Sequence, residues 1–127
     1  MNATAKLLYD ILSGKVRKRG MSMAQFDMGA WTHDCNTPAC IGGHAEVLLD
    51  MPKNTKWQRV AAGLGLSVDV AEALFFPMLS SVYTKKNKIV RQLYGPTADA
   101  NPPIQYAGSR GAKLAAEALK RAVKLSQ

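Results

Sequence analysis

The amphipathic run near the C-terminus constrains the fold most. From Arg110 to about Leu125, Leu114, Ala118, Leu119, Ala122 and Val123 fall on one helical face, with basic residues opposite. Such a stripe needs an apolar partner, and further stretches of the same period supply it. Leu7, Leu8, Ile11 and Leu12 form one stripe, stopped at Gly14. Met23, Phe26, Met28 and Trp31 follow, with Ser22 and Gln25 at capping-box spacing. Thr37 and Pro38 read as N-cap and first residue of a helix running to about Leu49. A further stretch starts near Asn54, carries Trp57, Val60, Ala61 and Leu64, and breaks at Gly65. Ser67 caps the next, with Ala71, Leu74 and Phe75 inward and Pro77 as stop.

Leu79, Val82 and Tyr83, then Ile89, Val90, Leu93 and Tyr94, predict one or two more helical segments. "TKKNK" between them reads as a solvated basic segment. "GPTADANPPIQYAGS" reads as an irregular connection. No alternating strand pattern persists, and there is no internal repeat. The expectation is one compact all-α domain over residues 1–127, a bundle of five to seven short helices. Trp57, Leu64, Leu74 and Phe75 are expected in its core.

A chain of 127 residues, 47% hydrophobic and 20% charged, has the composition of a globular domain. It is long enough to fold without a disulfide or metal staple. No apolar run reaches the roughly 18 residues of a membrane span, and "MNATAKLLYDILSGK" lacks a signal-peptide pattern. The expected location is the cytoplasm, with no membrane partner. Net charge is +8, from 17 Lys plus Arg against 9 Asp plus Glu. That excess suits contact with a polyanion or an acidic protein.

Both histidines and both cysteines fall within "HDCNTPACIGGH", residues 33 to 44. Four readings compete. Zinc is one: Cys40 and His44 share a helical face, and His33 and Cys35 on the incoming loop complete a Cys2His2 set. The four-residue spacer from Cys35 to Cys40 is short for that architecture. A Cys35–Cys40 disulfide is sterically accessible but disfavoured where thiols stay reduced. Catalysis at Cys40 would use a thiol activated at a helix start. His44, one turn along the same helix, is poorly placed as its base. "HAE" matches half of the zinc-deaminase signature, whose second half is missing because no cysteine follows Cys40. The reading preferred here is structural. Trp31, Cys35, Thr37, Pro38, Cys40, Gly42 and Gly43 build a helix entrance, both thiols pack as small apolar groups, and no cofactor is expected. Two glycines cost about 1 kcal/mol each inside a helix, so close packing, by Trp31 or another helix, is expected at Gly42 and Gly43.

"F-D-M-x-x-W" followed by "C-N-T-P-A-C-I-G-G-H-A", and then "GLGLSVDVAEALFFP" at residues 63 to 77, resembles a pattern in small uncharacterised bacterial and phage proteins. That pattern has a C-x-T-x-A-C-I-x-G core. The resemblance spans roughly residues 25 to 80. Such proteins often carry glycine where this chain has Asn36, and another large residue can stand at the position of His44. No function is established for them. The resemblance therefore implies a phage or mobile-element setting and transfers no active site.

Arg59 to Phe75 also fits a helix-turn-helix pattern, with Val60, Leu64, Leu66, Ala71 and Leu74 at core positions. The second helix offers only Asp69 and Glu72 as charged residues, which repel phosphate and leave no donor for base edges. Two packed helices are the better reading. The better nucleic-acid surface is Lys15, Arg17, Lys18 and Arg19 with Lys85, Lys86, Lys88 and Arg91, making non-specific phosphate contacts. Paired carboxylates, a phosphate-cradling glycine loop and a nucleophile–base pair are not evident. The expectation is a non-catalytic accessory protein binding a protein or nucleic-acid partner through its basic face. A zinc-stabilised module and, last, a Cys40-centred enzyme are the alternatives.

Overall fold

The computed structural model describes residues 1–32, 38–52, 55–77, 85–95 and 107–127. Among these, six α-helices form: α1 (Ala3–Leu12), α2 (Ile41–Leu48), α3 (Trp57–Gly63), α4 (Val68–Phe75), α5 (Lys85–Tyr94) and α6 (Gly108–Leu125). A single 3-10 turn, Met23–Gln25, lies between α1 and α2. No strand forms among the described residues, which carry three isolated bridges. The fold is all-α, a small helical bundle. No helix among the described residues is long and apolar enough to cross a membrane.

α6 is the centre of the bundle and packs against α1, α4, α5 and the 3-10 turn. Its inward face is mostly small: Gly111, Ala112, Ala115, Ala116, Ala118 and Ala122, with Leu119 and Val123. Small side chains let three helices approach one axis closely, and the larger residues come from the partners. Leu8 and Leu12 of α1, Leu74 and Phe75 of α4, and Val90 and Leu93 of α5 join one hydrophobic cluster with them. Leu114, expected on the inner face of α6, is only partly buried. In α1 the stripe is Ala5, Leu8, Ile11 and Leu12, while Leu7 is exposed, because Ala5 lies one turn before Leu8 and Leu7 points aside.

Polar contacts tie the helix ends together. Asn2 caps α1 through its Oδ1, which accepts from the Ala5 N–H at 2.8 Å, while its Nδ2 donates to Gly63 O at the end of α3. Arg121 donates to Leu93 O at 2.8 Å in the last turn of α5. Tyr94 donates from its buried hydroxyl to Leu74 O.

Two boundaries differ from the sequence-based expectation. α2 begins at Ile41 with Cys40 as N-cap, not at Pro38. Pro38 instead bridges to Thr32, in extended pairing that its missing N–H allows at one edge. "TKKNK" is not a solvated connection: residues 85–88 form the first turn of α5, with Asn87 buried. Lysine is a good helix former, and a lysine-rich turn is stable when its one inward residue packs. Ser67 stands at the N-cap of α4 without a side-chain cap bond, and its N–H donates to Ser126 Oγ at the end of α6. His33, Cys35, Asn36, Thr37, Asn54, Leu79, Val82, Tyr83, Thr84 and most of the "GPTADANPPIQYAGS" connection lie outside the described residues.

Candidate functional site

The Cys/His window forms the start of α2. Cys40 is buried and unbridged. Burial pushes its thiol pKa above the ordinary value, opposed in part by the backbone N–H groups of Gly43 and Gly42. A nucleophilic cysteine needs the reverse shift and access to solvent. His44 is fully buried, its Nδ1 lies 2.8 Å from Cys40 O, and its ring packs at 5.8 Å from that of Phe26. One imidazole nitrogen is thus engaged by the backbone of its own helix. Of the four candidate zinc ligands, His33 and Cys35 lie outside the described residues. No group of three or more His, Cys, Asp or Glu side chains could hold a metal among the described residues.

The glycines are explained by Trp31. A methyl group at Gly42 would overlap the Trp31 ring, and one at Gly43 would overlap the Trp31 carbonyl. That carbonyl also accepts from the Ala39 N–H at 3.1 Å, which fixes the loop against the helix. The indole Nε1 donates to Glu46 Oε2 at 3.2 Å, giving a nearly buried carboxylate a partner. Beyond it, the Trp31 ring meets Phe75 edge-on at 5.7 Å and stacks on Phe76 at 6.2 Å. Trp57 joins the same group through both phenylalanines. The side chains at this helix entrance pack against one another.

α3 and α4 pack through Val60, Leu64, Leu66, Ala71 and Leu74, all buried. The turn between them carries Gly65 at φ +73°. Asp69 and Glu72 lie on the helix that would read a groove, and Asp69 pairs with Lys85 at 2.9 Å. The acidic face is what the sequence predicts.

The basic residues expected to act together divide into two groups. Lys15, Arg17, Lys18 and Arg19 are exposed on the segment after α1, while Lys85, Lys86, Lys88 and Arg91 lie on α5. α5 packs on α4 and α6, and α1 packs on α6 and α2, so α6 stands between the groups. The first group gains neighbours that sequence proximity did not reveal. Arg17 and Lys18 line a groove of about 630 Å³ with Lys113 and Ser109 of α6. Lys15 lines a second groove, of about 430 Å³, with Lys6 and Tyr9 of α1 and Lys120 and Lys124 of α6. Lys113, Lys120 and Lys124 were legible as one helical face, being seven and four residues apart. Their pairing with α1 was not.

Tyr9 organises the second groove. Its hydroxyl donates to Glu117 Oε1 at 3.0 Å. The ammonium groups of Lys6 and Lys15 lie 5.5 and 5.6 Å from its ring centroid. Lys6 also pairs with Asp10 at 3.0 Å. The hydrogen bond to Glu117 is the main reason the Tyr9 pKa is raised, so its proton stays in place.

Comparison of the chain with protein-family models, curated proteins and solved structures gives no match.

Proposed function

We propose that this protein is a non-catalytic binding protein that engages nucleic acid through its basic surface. One observation carries the reading: the exposed Lys15–Arg19 segment shares two grooves with α6, in which Arg17 and Lys18 join Lys113 and Lys15 joins Lys120 and Lys124. Cations 90 or more positions apart in the chain gather along one seam, against a net charge of +8. Lysines presented as point charges suit phosphate oxygens, so sequence-independent backbone contact is the matching mode. A phage or mobile-element accessory role agrees with this reading and rests on the sequence resemblance alone.

The test is fluorescence anisotropy with labelled 30-mer oligonucleotides, single-stranded and duplex, at 50 mM salt, with polyglutamate of similar charge as comparison. The reading expects saturable binding to nucleic acid that weakens steeply by 200 mM salt. Failure to bind either oligonucleotide, or preference for polyglutamate, rejects it.

A further inference from the structure

We infer that the groove between α1 and α6, lined by Lys6, Tyr9, Lys15, Lys120 and Lys124, is the phosphate track for a single strand of nucleic acid. This rests on the nucleic-acid reading above and assigns it a place. The groove gathers four lysines, from α1, from the segment after it and from α6. Two acids lie beside them, Asp10 on Lys6 and Glu117 on Tyr9, and each is already engaged within the protein. Lys120 and Lys124 project from α6, and Lys113 continues their row toward the groove lined by Arg17 and Lys18. From Lys113 to Lys124 the row spans about 16 Å at 1.5 Å per residue, long enough to follow several successive phosphates.

The size and charge of the groove select a single strand. The groove encloses about 430 Å³, which admits one sugar–phosphate backbone but not the rod of a duplex. A charged groove that tracks the backbone is the shared device of single-strand binders. The one aromatic ring in the groove, Tyr9, already carries two ammonium groups against it, which leaves it a poor stacking platform and makes binding indifferent to base identity. An anionic membrane is a weaker match, because a lipid-binding helix inserts its apolar face. The apolar face of α6 is consumed in the core.

The experiment compares two fourfold variants. One replaces Lys6, Lys15, Lys120 and Lys124 by Gln. The other removes the same charge from α5, replacing Lys85, Lys86, Lys88 and Arg91 by Gln. Binding of a labelled single-stranded 30-mer is followed by anisotropy between 50 and 200 mM salt, with thermal melts of each variant. A double Lys120→Gln, Lys124→Gln variant serves if a fourfold variant melts early. The groove variant is expected to bind at least about tenfold more weakly. Its slope of log K against log salt should be shallower by up to about 3, at roughly 0.7 per phosphate contact on a single strand. The α5 variant should lose less. Equal binding by wild type and groove variant, or a larger loss in the α5 variant, overturns the assignment while the nucleic-acid reading stands. Tighter binding of the wild type to duplex, or to vesicles containing phosphatidylserine, overturns it as well. Absence of any nucleic-acid binding by the wild type removes both.

Discussion

Tyr9 donates its hydroxyl proton to Glu117 Oε1 at 3.0 Å, closing the seam between the first and last helices across 108 positions of sequence. The bond holds the Tyr9 proton more tightly in the folded chain than in the unfolded one, which raises its pKa. The contribution to stability is present below the ordinary tyrosine pKa of 10.0 and is lost as pH rises through the higher folded value. Glu117→Gln should therefore move the Tyr9 titration down, toward the ordinary value. Difference absorbance near 295 nm against a Tyr9→Phe control isolates this one tyrosine. An unchanged midpoint in Glu117→Gln would deny the bond in solution.

The two glycines of α2 should respond differently to alanine. At Gly42 the obstacle is the Trp31 ring, and at Gly43 it is the Trp31 carbonyl. Gly→Ala inside a helix normally gains about 1 kcal/mol, whereas overpacking costs about 1–3 kcal/mol. Both variants should be destabilised, Gly43→Ala more so because backbone cannot rotate away. In a Trp31→Ala background the Gly42→Ala penalty should shrink and the Gly43→Ala penalty should persist. Denaturant unfolding of the four variants checks this pattern, and relief at both sites would contradict it.

Cys40 should behave as a buried structural thiol. Its raised pKa makes it slow toward a thiol reagent in the native protein at neutral pH and fast once the chain is unfolded. A raised folded pKa adds stability below the ordinary thiol value of 9.0 and loses it as pH climbs beyond. The urea midpoint should thus fall above pH 9 by more in the parent than in Cys40→Ala. Rapid native labelling, resolved to Cys40 by peptide mass spectrometry, would revive a reactive-thiol reading.

Leu74 lies fully buried where α4 meets the common core. Leu74→Ala should cost about 2–5 kcal/mol, the range for a core leucine truncation. A thermal melt matching the parent would contradict this placement.

Helical periodicity exposed the existence and approximate position of most helices, because burial of one face leaves a mark every three or four residues. The mark identified Leu64, Leu74, Phe75, Val90 and Leu93 as core, all now buried. It misassigned Leu7, where the buried residue is Ala5, because a small side chain weighs little in a hydropathy count. Residues 85–88 read as solvated because three lysines hid a helix whose single inward residue there is Asn87. Trp57 was expected in the core and is only partly buried, at the edge of the aromatic group. The Trp31–glycine packing was legible, since two glycines inside a helix require a close neighbour. The lysine seam was legible only in halves. The lysine row on α6 follows from spacing, but its meeting with Lys6 and Lys15 depends on antiparallel packing of the first and last helices, which no local pattern encodes.

Lysine footprinting tests the central claim most directly. The native protein, alone and with a saturating single-stranded 30-mer, is treated briefly with an amine acylating reagent, and each lysine is quantified by peptide mass spectrometry. Lys6, Lys15, Lys120 and Lys124 should be protected, Lys18 and Lys113 less so, and labelling of Lys85 and Lys88 should be unchanged. Protection confined to the α5 lysines, or none at saturation, would contradict it.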